Sequence, residues 1–268
     1  MKVSTVSLET SAQKHPLGKP AIFITGSGKC GTSVVAHCFF ASGFPMGTLE
    51  DLHIFEGRGN LRGLWEHKRT LDLNCEILEF NSCDWHTPSQ EALKVSEEMR
   101  ERLRLFAESV PAWFCCKDPR FVSTFSAWYG LFDPIAIVGC FRHPAGFIKS
   151  LVNVWPDKYS TGSRHDRTKA FELWNLYSTR LLSLAEQVPV HWIDFDESLP
   201  NLKFRIASVI SRFGRIFNEQ AFDQFYIPTE RRFSHEAESG MSGLDVPKHV
   251  LEVYDRLIEA YRISSAGA

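Results

Sequence analysis

Neither a Cys-x-x-Cys pair nor a His-x-x-x-His pair occurs in this chain of 268 residues, although it holds seven cysteines and ten histidines. That argues against a zinc framework, so no metal is expected. An odd cysteine count scattered through apolar patterns favours a reducing compartment over a disulfide scaffold. No apolar run approaches the length of a membrane span. The first ten residues show neither an extended apolar core nor a signal-peptide cleavage pattern, and a cytoplasmic protein with no membrane partner is expected. Excess charge is missing too: 30 basic against 32 acidic side chains give a net charge of −2. Such a chain has too little basic field for a nucleic-acid binder that works by neutralising phosphates. Any anion site has to be local. There is no internal repeat and no low-complexity tract.

What is present is enough apolar material, 44% of the residues, for one substantial domain. Residues 1–18 are polar, contain Pro16 and Gly18, and read as a flexible arm. Residues 19–268 read as the domain. Its organising stretch runs Ala21-Ile-Phe-Ile-Thr-Gly26-Ser27-Gly28-Lys29-Cys30-Gly31-Thr32-Ser33 and continues into an apolar helical pattern. A strand that enters three glycines, a lysine and two hydroxyls just before a helix is the layout of a loop that wraps a phosphate at the helix N-terminus. Glycines let the backbone approach the ligand, Lys29 adds a point charge, and Thr32 and Ser33 add donors. A thiol at a helix N-terminus beside a lysine, as Cys30 is, can have a lowered pKa; the simpler reading is a small residue tolerated in the loop.

Two familiar phosphate loops fit poorly. Thr32 stands where the Walker A pattern needs its lysine. Gly26, Gly28 and Gly31 do satisfy Gly-x-Gly-x-x-Gly, with Glu50 or Asp51 at about the right distance for a ribose contact. The segment between, however, holds two glycines, a proline and no β-branched run, so the second strand is missing.

Further along, Pro111–Cys116 reads as a buried strand ending in Lys117-Asp118-Pro119-Arg120. Pro134–Phe141 reads as another, ending in Arg142-His143-Pro144, with a helix following from Ala145. Charges directly after buried strands fall at the carboxyl edge of the sheet, where open α/β sheets bind ligands. Helices are expected from Gly63, over Ser89–Val110, over Arg167–Gln187 and from Pro247, with a fourth strand over Val188–Ile193. Alternating strands and helices imply a three-layer α/β domain, a central parallel sheet flanked by helices.

The loop Gly-x-Gly-Lys-x-Gly-Thr-Ser resembles the 5′-phosphosulfate loop of sulfotransferases, which take a sulfuryl group from 3′-phosphoadenosine 5′-phosphosulfate (PAPS). Arg142-His-Pro144, with Ser150 in the next helix, resembles their 3′-phosphate element. A guanidinium at a strand end can grip a dianion in bidentate fashion, with a hydroxyl two helical turns on completing the cradle. Gly63-Leu-Trp65-Glu66, Leu73-Asn74, Lys117–Arg120, the helix around Trp174 and Ile193–Leu199 look like further segments of bacterial-type PAPS-dependent sulfotransferases. The resemblance runs from Ala21 to about Arg232. It implies a P-loop-like fold, PAPS as donor with 3′,5′-ADP as product, and a hydroxyl or amine acceptor on a small molecule or glycan.

The same resemblance makes Ser27, Gly28, Lys29, Cys30, Gly31, Thr32, Ser33, Arg142 and Ser150 the expected nucleotide-binding residues. Arg231 and Arg232 join them as part of a C-terminal lid. Lys29 is expected to stabilise the transferred group, and Lys117 to touch it or the acceptor. The base is sought among Glu50, His53, Glu56, Glu66 and His67, with Glu66 preferred because Trp65 beside it suggests an apolar wall that raises a carboxylate pKa. The alternative is a P-loop-type nucleotide-binding protein or small-molecule kinase without sulfuryl transfer. The sequence names no acceptor and fixes no oligomeric state.

Overall fold

The computed structural model describes residues 18–54, 62–154, 164–226 and 245–266. Four strands, β1 (Ala21–Gly26), β2 (Phe114–Lys117), β3 (Ile135–Phe141) and β4 (Val190–Asp194), form one parallel sheet in the order β2-β1-β3-β4. β1 is central: Ile24 pairs with Lys117 on one side and with Val138 on the other.

Alternate residues along each strand face opposite ways, and this divides the core in two. Ala21, Phe23, Cys116, Ile137 and Phe141 join one apolar cluster. Ile22, Ile24, Cys115, Val138 and Cys140 join the other. Because both faces are apolar, the strands read as continuous hydrophobic runs, as buried parallel strands do.

The first face is covered by α2 (Lys68–Phe80), α3 (Glu97–Ser109), α4 (Phe121–Trp128), α5 (Pro144–Val154), α6 (Arg164–Leu184) and α9 (Lys248–Ala266). The second is covered by α1 (Thr32–Ala41), α7 (Leu199–Arg212) and α8 (Glu219–Phe225). This is the three-layer α/β architecture expected from the order of strands and helices. Among the described residues no helix is long and apolar enough to cross a membrane.

Two helix starts differ from expectation. The Ser89 segment is not helical: α3 begins at Glu97, where Ser96 Oγ caps the Met99 amide at 3.2 Å. The preceding backbone is engaged by side chains, with Lys94 bonded through both its N–H and C=O to Asn81 and the Ser89 carbonyl accepting from Arg180. Nor does the helix begin at Gly63. Residues 62–66 form an irregular turn, left-handed at Gly63 and Trp65, bonded to His53, whose N–H donates to the Glu66 carbonyl at 2.8 Å while its own carbonyl accepts from Leu64 and Trp65. α2 then starts at Lys68 behind His67.

Candidate active site

The order β2-β1-β3-β4 sends the chain from β1 to one side and from β3 to the other, so the carboxyl ends of β1 and β3 flank a topological switch point, the usual ligand crevice of an open α/β sheet. The glycine loop follows β1 there. Lys29 (φ 66°) and Gly31 (φ 83°) are left-handed at alternate positions, the kind of backbone that turns successive N–H groups toward one anion. Side chains of His67, Ser96 and Asn218 cap α2, α3 and α8, whereas α1, like α4 and α7, has no side-chain cap and no acidic residue in its first turn. Ser27 is 2% exposed, and its hydroxyl has no hydrogen-bond partner among the described residues. A buried donor left so costs roughly 1–3 kcal/mol. A phosphate or sulfate oxygen in the loop would satisfy it, so the residues present fit an anionic group.

Two aromatic side chains shape this loop from outside. A Cβ on Gly28 would lie 2.2 Å from Trp85 Cζ2, and one on Gly31 would lie 2.0 Å from the Phe195 ring. Both positions therefore need glycine for close approach, and Gly31 also for its left-handed backbone. Cys30 is fully buried, its Sγ turned to the Ser27 carbonyl. Burial pushes its thiol up to about 12, outweighing the charges of Arg142 and Lys117. The activated-thiol possibility is thereby removed, and Cys30 is a packed small residue.

On the β3 side, Arg142 is 4% exposed. It donates to Asp196 Oδ1 at 2.9 Å and to the Lys29 carbonyl at 3.1 Å, while Asp196 Oδ2 accepts the His143 amide at 2.7 Å. Arg142 thus ties the glycine loop to the turn after β4. Ser150 lies half-buried along α5.

On the β2 side, Lys117 Nζ meets Glu66 Oε1 at 2.8 Å, with both side chains buried, and Arg120 approaches Glu66 Oε2 at 3.9 Å. Arg120 is held by Asp118 Oδ1 at 2.9 Å, while Asp118 Oδ2 accepts from Asn74 Nδ2 at 2.8 Å. The Asn74 carbonyl oxygen accepts in turn from Thr124 Oγ1 at 2.7 Å and Trp128 Nε1 at 2.8 Å. Burial, aided by the nearby charge of Glu66, raises the Asp118 pKa against the pull of Arg120. Asp118 and Arg120 thus pair just beyond the end of β2. The apolar wall expected of Trp65 is not beside Glu66: the Trp65 indole packs with His37, Phe40 and Phe225 on the α1 side, and its Nε1 donates to the Arg62 carbonyl. The neighbour that Glu66 meets is the Lys117 ammonium.

The other residues considered as bases are dispersed. Glu50 lies in a short exposed 3₁₀ turn. His67 caps α2 with Nδ1 and packs against Phe106 and Phe114, and burial lowers its pKa. Glu56, Arg231 and Arg232 lie outside the described residues. Sequence reasoning passed over Phe195 and Asp196 as parts of this site, and also the turn Asp84–Thr87. There Asp84 Oδ1 accepts from the amides of His86 and Thr87 at 2.7 and 2.6 Å and from Thr87 Oγ1 at 2.8 Å. An Asp followed three residues later by Thr and then Pro88 is a turn signal, and could have marked it. Among the described residues no group of three His, Cys, Asp or Glu is placed to hold a metal.

Strand order, loop and covering helices together give the fold found in sulfotransferase domains. The sulfotransferase domain from the Synechococcus PCC 7002 olefin synthase superposes with a TM-score of 0.56 at 14% identity, covering 93% of this chain and 98% of that one. The sulfotransferase domain from the curacin biosynthetic pathway gives 0.53 at 11% identity, covering 90% and 98%. At such identities the likeness is one of fold. No family model matches the chain, and no curated protein sequence matches it.

Proposed function

We propose that this protein is a PAPS-dependent sulfotransferase acting on a hydroxyl or amine of a small-molecule or glycan acceptor. The observation that carries the proposal is the loop itself: an uncapped helix start below left-handed Lys29 and Gly31, with the buried Ser27 hydroxyl lacking a partner. Sulfuryl transfer, like phosphoryl transfer, is an in-line displacement in which the protein mainly positions the partners and stabilises charge. Backbone N–H groups from Gly28 to Ser33 would hold the 5′-phosphosulfate end, and Lys29 would stabilise charge developing on the leaving oxygen. Lys117, fixed by Glu66 at the neighbouring strand end, would face the transferred group or the acceptor. Arg142 and Ser150 would take the 3′-phosphate, Arg142 sharing its guanidinium between that group and Asp196, with Arg231 and Arg232 as lid residues. The fold shared with two sulfotransferase domains supports this reading.

Calorimetry with 3′,5′-ADP and 5′-AMP tests it. Only the former has a 3′-phosphate for Arg142 and Ser150, so it should bind at least tenfold more tightly. Equal affinities would remove the two-phosphate site. Lys29→Ala should reduce turnover of PAPS by about 10²–10³-fold while changing 3′,5′-ADP affinity much less.

A further inference from the structure

We infer that the base receiving the acceptor's proton is His86, on the turn whose tryptophan forms the wall of the glycine loop. The inference rests on the sulfuryl-transfer reading and assigns that site's proton acceptor. Glu66 is 4% exposed, and its oxygens face Lys117 at 2.8 Å and Arg120 at 3.9 Å. An acceptor hydroxyl has little room to reach it. Glu66 is the clamp of Lys117, and the proton has to go elsewhere.

The turn Asp84–Thr87 is the part of the chain that touches the loop next to Lys29. Trp85 Cζ2 packs so closely on Gly28 that not even a Cβ fits between them. The His86 ring stands edge-on to that indole, centroid to centroid 4.4 Å at 82°. The Trp85 indole thus touches both the Gly28 backbone and the His86 ring. His86 is half-buried, so the site is partly dry without being closed.

The turn is also held rigidly, as a catalytic group requires. Asp84 Oδ1 accepts both the His86 and Thr87 amides. The Trp85 carbonyl accepts from Tyr177 OH at 3.2 Å, and Arg180 bonds the Ser89 carbonyl just beyond. Imidazole is the side chain whose ordinary titration lies nearest physiological pH, which suits a general base. As the acceptor oxygen bonds to sulfur, its proton passes to a ring nitrogen of His86. The bond from sulfur to the 5′-phosphate oxygen breaks, its electron pair stays on that oxygen beside Lys29, and 3′,5′-ADP leaves; the imidazolium returns its proton to water.

The test has two readouts. Histidine ¹³Cε1 resonances are followed during titration with 3′,5′-ADP and with inorganic pyrophosphate, the His86 signal being identified by its loss in His86→Gln. A saturable shift of that signal is expected with either ligand. Calorimetric binding with an unmoved His86 signal would overturn the assignment, and binding of neither ligand would remove the sulfuryl-transfer reading, with the role of His86 falling alongside it. In the second, release of 3′,5′-ADP from PAPS with water as acceptor should drop at least about 100-fold in His86→Gln, at unchanged 3′,5′-ADP affinity and melting temperature. A residue with only a structural role would move affinity or melting temperature along with the rate, and that result, like an unchanged rate, counts against His86.

Discussion

The two flanks of the glycine loop solve the same electrostatic problem differently. On the β3 flank the Arg142 guanidinium and the Asp196 carboxylate, both buried, meet at 2.9 Å. On the β2 flank the charges of Lys117, Glu66, Arg120 and Asp118 are spread over a chain that ends in neutral donors, Asn74, Thr124 and Trp128. Removing one member of a buried pair leaves the other charge uncompensated, whereas a distributed network can share the loss.

The largest effect should come from Arg142→Ala. It leaves Asp196 buried with only backbone donors and frees the Lys29 carbonyl, and should cost about 3–5 kcal/mol of stability by urea unfolding. Asp118→Asn should cost less, roughly 1–3 kcal/mol. The new amide would place its N–H₂ against the Asn74 N–H₂, and Asn74 cannot turn over because its oxygen is held by Thr124 and Trp128. Adding Asn74→Asp to that variant reverses the donor and acceptor between the two residues, so the double variant should regain most of the loss. If Asp118→Asn costs as much as Arg142→Ala, or the double variant regains nothing, the contrast between the flanks is wrong.

The smallest effect concerns pH. Burial, with Arg212 and Arg205 nearby, lowers the His191 pKa from the ordinary 6.5 to about 4. The folded state therefore favours the neutral imidazole, and the unfolded state takes up its proton first as pH falls. The stability contributed by His191 is fully present above about 6.5 and is lost as pH drops toward 4. His191→Gln should lose less melting temperature than the parent between pH 7 and 4.5; an identical slope would show that His191 contributes nothing.

Both flanks were legible in the sequence where charges follow a strand directly, as Arg142 and Lys117 do. The strand, glycines and lysine of the loop lie within one short stretch, and Arg142 follows its strand directly, so local pattern was enough to mark them. The partner Asp196 was not legible: it lies 54 residues from Arg142 and only sheet assembly brings it there. The same holds for Asn74 and Asp118, and for Trp85, which looked like any core tryptophan until its indole was placed on Gly28. The strands themselves were within reach because apolar runs announce themselves. α4, α7 and α8 did not, being short or hidden behind polar turns. In α7 the apolar positions Leu202, Ile206, Val209 and Ile210 do keep helical spacing.

Phe195 against Gly31, and Asp196 acting through Arg142 on the Lys29 carbonyl, have a consequence for the order in which this chain matures. Both contacts come from the turn after β4, some 165 residues downstream of the loop they shape. While the chain is being synthesised from its N-terminus, the complete glycine motif exists long before those supports have been made. A nascent chain ending before Val188 carries every residue of the motif without the far turn that braces it. On the proposed function, anion capture is a late property, acquired when the last strand docks and the sheet is complete.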